Sequence, residues 1–153
     1  MAEDPIRERI LQHCETSLRA IDGTGAYHTA LAGVARGRQV PKEDPADLPA
    51  AFLQEGDESF AQDTNLLVTR TLPVSVEVLL RSTAADLPTR ANRAAADVER
   101  ALTADPTCGG LAKRTDITGI AITHDEAPGV LASVRCDFTI EYFTRRGDPA
   151  STG

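Results

Sequence analysis

The chain contains no tryptophan, and only two tyrosines and four phenylalanines occur among its 153 residues. The composition is otherwise that of an ordinary soluble globular protein, and the length predicts one domain that buries roughly two thirds of the surface of its unfolded chain. No apolar run approaches the roughly 20 residues that a membrane-spanning helix needs, which argues against such a segment. The opening residues lack the apolar stretch and cleavage site of a signal peptide, so we expect the chain to begin its life in a cytoplasm.

Cysteine is also scarce. Cys14, Cys108 and Cys136 are odd in number and widely spaced, so they predict neither a disulfide framework nor a paired CxxC metal site. We expect each of them to be a small, buried apolar side chain. The three histidines show no metal-ligand spacing and are expected at half-buried or surface positions.

The stretch DPTCGG at 105–110 raises the question of a reactive cysteine or a phosphate loop. Cys108 follows a predicted helix, at the end of the helix dipole that disfavours a thiolate. A phosphate loop would need GxxxxGK[ST] spacing and would precede a helix. We interpret the stretch as a corner, in which Pro106 prevents helix continuation and Gly109 or Gly110 supplies the freedom to turn. The sequence therefore assigns no catalytic, cofactor-binding or metal-binding residue.

The net charge of −7 is concentrated in one segment. Residues 42–63 contain one lysine and seven acidic residues, a local charge of −6. This balance argues against ordinary binding to nucleic-acid phosphates, which needs a basic face. The segment has oxygens for a divalent cation, but it lacks the full calcium-loop pattern, and a solvated acidic loop is the simpler interpretation.

Apolar residues at helical spacing predict two helices. The first runs from Ile6 to Ile21, with Asp4 as its cap and Pro5 at its first helical position. The second runs from Leu87 to Ala104 and presents a narrow stripe of alanines, which lets a helix lie close against a sheet. Ion pairs four residues apart are expected on both helices, namely Glu15–Arg19, Asp86–Arg90 and Arg93–Asp97.

Alternation of apolar and polar residues predicts strands over 72–81 and 132–142, and another around 120–124. Turn residues at 124–129 join the last two strands as an antiparallel hairpin. Weaker strand signals come earlier in the chain, together with three prolines that indicate an extended connection. These earlier segments are 26–40, the proline-rich 41–49, and 50–65, a short strand that enters the acidic loop.

This order of elements predicts an α+β fold with a single mixed, mainly antiparallel sheet and two helices packed on one face. We assign residues 1–144 to this single domain and the polar, turn-rich residues 145–153 to a flexible C-terminal tail. Four apolar residues fall outside the main alternation and are expected on the other face or at the rims of the sheet. Another subunit would cover them, or they are scattered surface residues. They are Leu66, Leu67, Leu79 and Phe143.

Five segments occur in an order and spacing that resembles the tail terminator proteins of long-tailed bacteriophages, also called tail-completion or minor tail proteins. The likeness covers about residues 5–149, and a prophage-derived particle such as a gene transfer agent or a tailocin would carry a similar protein. The segments are IRERILQHCETSLRAI, PAAFLQEGDE, LPVSVEVLL, VERALTADPTCGGLAKRTDITGI and CDFTIEYFTRRGDP.

The resemblance implies a structural protein of the virion, not an enzyme, with no cofactor. Members of the family form a hexameric ring on the last ring of the tail tube, halt its polymerisation and present a surface to the head connector. The expected partners are therefore copies of this chain, the tail tube protein and a neck protein, with no membrane. DNA would pass through the lumen without sequence-specific binding. The protein would be assembled in the bacterial host cytoplasm and reside in the tail or neck.

The same resemblance implies that the acidic loop faces neighbours or the lumen, which adds Glu55, Asp57 and Glu58 to the candidate interface residues. Two alternatives stay open. One is another neck component, such as a head-completion or connector protein. The other is a small enzyme or ligand-binding domain that uses Cys108, His28 or His124.

Overall fold

The structure, a computed structural model, describes residues 2–37, 48–62, 66–83, 85–125 and 131–152. Most of the proline-rich connection and of the turn at 124–129 lies outside the described residues. Within them the chain forms two helices and six strands. Their order is α1 (Ile6–Arg19), β1 (Gly33–Arg36), β2 (Ala50–Glu55), β3 (Ser59–Gln62), β4 (Leu67–Arg81), α2 (Leu87–Thr103), β5 (Arg114–Asp125) and β6 (Leu131–Arg145).

The strands form one mixed sheet in the order β1-β2-β4-β6-β5, and β3 also pairs with β4. Only the β1–β2 pair is parallel among the described strands. β4 and β6 pair over their whole lengths, while β2 and β3 share the opposite edge of β4, at residues 74–79 and 68–71 respectively. Both helices pack on one face of the sheet, so the predicted α+β fold is confirmed.

The core lies between that face and the helices. Alternate residues of β4 and β6 are buried there, from Leu72 to Leu80 and from Ala132 to Tyr142, as the period-two pattern predicts. The stripe of α2 is mostly alanine, which brings its backbone close to the sheet. It packs against β4, β5 and β6, whereas α1 packs against α2 and β1.

A bulge keeps the apolar residues of β5 on this helix-covered face. The register shifts between Ile117, which pairs with Phe138, and Gly119. Because one extra residue is inserted, Ile117 and Ile120 face the same side although they are three positions apart. Ile120 pairs with Cys136 of the core.

The start of α1 differs from its prediction. The N-cap is Pro5, and no side chain caps the helix, so the assignment of Asp4 as the cap is wrong. The backbone N–H of Ile6 instead donates to the carbonyl of Pro149, at 2.9 Å. A carbonyl from the C-terminal segment thus bonds one of the N–H groups that a capping side chain usually serves.

The acidic segment contains a strand where a loop is predicted. β4 begins five residues earlier than the alternation indicates, and its added residues give β3 an edge with which to pair. β3 has no buried side to produce a periodic pattern, since all four of its residues are exposed.

The C-terminal segment bends back toward the domain. The N–H of Arg146 donates to Leu66 (2.8 Å), and that of Arg145 donates to Ser151 (2.8 Å). Together with the Pro149 contact, these bonds connect the segment to the starts of α1 and β4. Its predicted flexibility stays a prediction.

Candidate functional site

Two outer strands of the sheet carry exposed apolar side chains. Among the described residues, β3 pairs only with β4 and β5 only with β6. Phe60 on β3 is 61% exposed, Ile120 on β5 is 48% exposed, and Leu66, just before β4, is 73% exposed. Of these three residues, only Leu66 is among the apolar residues predicted at the rims of the sheet. Phe60 lies in a segment interpreted as a loop, and Ile120 fits the alternation of a core strand.

The other three apolar candidates lie on the open face, opposite the helices. Leu67, Leu79 and Phe143 occupy the alternate positions of β4 and β6 that do not enter the core. Leu79 is nonetheless buried, and the ammonium of Lys113 lies 5.4 Å from the Phe143 ring centroid. These positions agree with the predicted side of the sheet, while their place in an interface stays a prediction.

The side chain of Glu58 is buried against the domain and does not project from an exposed acidic loop. It is 5% exposed, and its carboxylate accepts hydrogen bonds from the Tyr142 hydroxyl and from Arg70 Nη1, the latter at 3.3 Å. Arg7 Nη1 lies 3.5 Å away. Burial of the phenol, together with its bond to Glu58, raises the pKa of Tyr142. The two arginines compensate the buried charge, so Glu58 links α1 to β4 and β6.

Glu55 is also paired, but closer to the surface. Its carboxylate accepts a hydrogen bond from Arg7 Nε (2.9 Å) and lies 3.9 Å from Arg36. Arg36 in addition donates to Glu8, whose carboxylate raises the pKa of the guanidinium. Asp57 is exposed between these two paired glutamates. The three acidic candidates therefore differ: one is buried, one is ion-paired and one is exposed.

A groove of about 630 Å³ opens beside these ion pairs. The amide nitrogen of Gln54 is buried there and has no hydrogen-bond partner among the described residues. The groove is lined by Glu8, Leu11, Arg36, Gly37, Leu53, Gln54 and Glu55.

Asp97 is a structurally important residue that the sequence pattern misplaces. Its side chain is fully buried and accepts the backbone N–H groups of His28 (3.0 Å) and Thr29 (2.7 Å). Its ionic neighbour is Arg100, whose Nη1 lies 3.7 Å from the carboxylate, and the predicted ion pair with Arg93 is wrong. The carboxylate turns inward because it bonds the loop between α1 and β1. The position of Asp97 in the helix, four residues after an arginine, does not indicate that its carboxylate binds the backbone of a distant loop.

A second cleft, of about 330 Å³, lies beside this loop. His28, Arg90 and Arg93 contribute to its lining and give it a basic character. His28 is one of the residues that the alternative of a small enzyme or ligand-binding domain would use, and the structure places it in this cleft.

The corner at 105–110 has the geometry expected of a turn. Cys108, Gly109 and Gly110 all have positive φ, at 50°, 71° and 89°. The Asp105 carboxylate accepts the Thr107 hydroxyl and the N–H of Gly109, which lowers its pKa. The predicted role of the glycines is confirmed, and the corner also places Cys108 itself in the left-handed region.

Cys108 is buried, as are Cys14 and Cys136, which confirms the expectation for all three thiols. Its sulfur lies 3.6 Å from the Thr115 hydroxyl. His13 lies at this corner, with its Nε2 4.0 Å from the Asp105 carboxylate. The structure thus brings His13 here, whereas the sequence-based alternative considered His28 and His124.

Across the described ranges, no group of three or more histidine, cysteine, aspartate or glutamate side chains could hold a metal ion. Neither described helix is long and apolar enough to cross a membrane. No protein-family model matches the chain, and no curated protein matches it in sequence.

Proposed function

We propose that this chain is a structural virion protein that forms a ring of six copies. The ring caps the tail tube, stops its polymerisation and joins the tail to the head connector. The observation that supports self-assembly most directly is the position of the exposed apolar side chains, which are Phe60 and Ile120 on outer strands and Leu66 just before β4.

Outer strands with exposed apolar residues favour association with another chain. Their unpaired backbone groups can accept a further strand, and soluble monomers usually protect such edges with charge or cover. Removing apolar surface from water contributes about 25 cal/mol per Å². A ring results when different surfaces of each copy meet head to tail and the rotation closes.

The charge distribution is compatible with a channel for DNA. The chain has a net charge of −7, and the carboxylate of Asp57 is exposed between β2 and β3, two residues after Glu55. A lumen with a negative lining would repel the phosphate backbone and let DNA pass without adhering.

Purified protein and purified tail tubes test this proposal. Light scattering after size exclusion should give the mass of six copies, in solution or on addition of tubes, and electron microscopy should show a ring at one end of each capped tube. Capped tubes should no longer elongate when tube protein is added. Binding to tail-free heads with no binding to tubes would identify another neck component instead. A chain that stays monomeric with both tubes and heads would overturn the proposal.

A further inference from the structure

We propose that β5 of one copy pairs with β3 of the next copy, so that a continuous antiparallel sheet runs from subunit to subunit. This inference rests on the proposed ring and names the surfaces that would close it. The partner is a second copy of this chain, joined head to tail through two different edges of the same sheet.

Strand direction is the first reason. β3, β4, β6 and β5 are consecutive neighbours in space, and each pair among them is antiparallel. A second copy displaced sideways therefore presents its β5 antiparallel to β3. Backbone groups on the outer sides of both strands can then form the ladder that each lacks within the described chain.

The second reason is that the exposed apolar residues of both strands lie on the same face. Phe60 pairs with Arg70, which pairs with Tyr142 of the core, so Phe60 is on the helix-covered side. Ile120 pairs with Cys136, on that same side, because of the bulge after Ile117. Pairing between strands keeps faces aligned, so the joined sheet places Phe60 on the same side as the apolar row of the neighbour's β5.

Register decides how the two copies are offset. β3 is level with the beginning of β5, since Ser59, Thr71, Glu141 and Arg114 follow one another across the sheet. A neighbour with no shift along the strands would therefore place only the first residue of its β5 beside β3. Formation of the ladder requires the neighbour to be displaced by several residues toward the β3 end, which brings the apolar residues of its β5 beside Phe60.

A two-fold pair of β5 strands is the competing arrangement. It would cover Ile120 twice and leave Phe60 and Leu66 exposed in both copies. Head-to-tail pairing uses both edges of every copy, and it is the arrangement that can continue into a ring.

Two lysine variants, Phe60→Lys and Ile120→Lys, separate these arrangements. Each should raise the dissociation constant for self-association at least tenfold by light scattering or analytical ultracentrifugation. An equimolar mixture of the two should form a heterodimer that goes no further, because one intact β3 and one intact β5 remain. Ala121→Lys, an exposed position on the opposite face of β5, is the matched control and should change the constant about twofold or less.

Circular dichroism checks that the variants fold, and Phe60→Ser and Ile120→Ser replace any lysine variant that does not. In the two-fold arrangement, Phe60→Lys would still self-associate, Ile120→Lys would be monomeric, and the mixture would form no heterodimer. That result would overturn this inference. If both lysine variants still form the same rings as the wild type, this inference is overturned, while the proposed function is unaffected. A wild-type chain that never assembles, even on tubes, would remove both.

Discussion

The two faces of the β4–β6 ladder are built from the same strands yet differ in almost every physical property. On the helix-covered face, Val74, Val76 and Phe138 are at most 1% exposed. On the open face, the residues between them are polar, and Asp137 accepts bonds from Ser75 (2.8 Å) and Arg135 (2.9 Å). Folding removes the apolar side chains of the helix-covered face from water. On the open face, polar side chains form hydrogen bonds with one another but stay partly exposed to water.

This difference shows where the stability of the domain lies. Burial of large apolar side chains contributes free energy that solvent cannot replace. The Arg135–Asp137 pair is 58% and 40% exposed, and ion pairs of this kind contribute little because water and salt screen them. We therefore expect core substitutions to reduce stability strongly and open-face substitutions to leave it nearly unchanged.

The helix-covered face also changes along its length. Beneath α2 it is apolar, but near the start of α1 it holds the Glu58 carboxylate with Arg7, Arg70 and Tyr142. Arg70 also lies over the Phe60 ring, 4.8 Å from its centroid. This ionic end joins the inner network to the outer strand β3, next to the surface proposed to bind a neighbour.

The largest expected effect comes from the adjacent pair Phe138 and Thr139. Phe138→Ala should lower the free energy of unfolding by about 3–5 kcal/mol, because it leaves a cavity in the core. Thr139→Ala, on the open face, should cost less than about 1 kcal/mol. Urea unfolding followed by circular dichroism measures both. Similar costs for the two variants would contradict the distinction between the faces.

A smaller effect is expected at the ionic end. Glu58→Ala should cost about 1–3 kcal/mol, since it removes a buried acceptor and leaves the Tyr142 hydroxyl and two partly exposed arginines without it. Asp57→Ala changes the exposed neighbouring carboxylate and should stay within about 0.5 kcal/mol of wild type. The same unfolding measurement applies. If the two alanine variants are equally stable, Glu58 does not hold the elements together.

The smallest effect concerns pH on the open face. Partial burial raises the pKa of Asp137, but the bonds from Arg135 and Ser75 outweigh it, and the pKa lies below the ordinary 3.8. A depressed pKa contributes stability that is present above the ordinary value and is lost as the pH falls through the folded-state value. Asp137→Asn should therefore be less stable than wild type near about pH 7, and the difference should shrink below about pH 4.

Urea midpoints of wild type and Asp137→Asn across this range test the linkage. Ser75→Ala removes one of the two bonds to the carboxylate and should show a weaker version of the same trend. A difference between wild type and Asp137→Asn that is constant with pH would show that the carboxylate acts only through packing.

The long helices and strands could be predicted because the spacing of their apolar residues matches the side of each element that is buried in the core. The alternation of β6 matches a strand with one face in the core, and the alanines of α2 match a helix close to a sheet. The corner around Cys108 is similarly local, since proline and glycine restrict or free the backbone whatever surrounds them. The ion pair between Glu15 and Arg19 can be predicted from helical spacing alone, and Arg19 Nη1 lies 2.7 Å from Glu15 Oε2.

The candidate site was less predictable because its features depend on residues far apart in the chain. β3 exists because β4 supplies an edge, and Glu58 is buried because Arg7, Arg70 and Tyr142 meet around it. None of these partners is near Glu58 in a pattern of period two or 3.6. A short polar stretch therefore has the same local signature whether it is a solvated loop or an ordered strand.

By itself the sequence determined the α+β class, both helices, the long strands and the turn after α2, because each depends on the spacing of apolar residues or on backbone restrictions within a few positions. Tertiary structure alone decided that Asp97 and Glu58 lie inside, that a bulge turns Ile120 toward the side of Phe60, and that outer strands carry the exposed apolar surface. The physical reason is that burial and charge compensation are properties of the neighbours a side chain meets. Those neighbours are set by the pairing of distant strands.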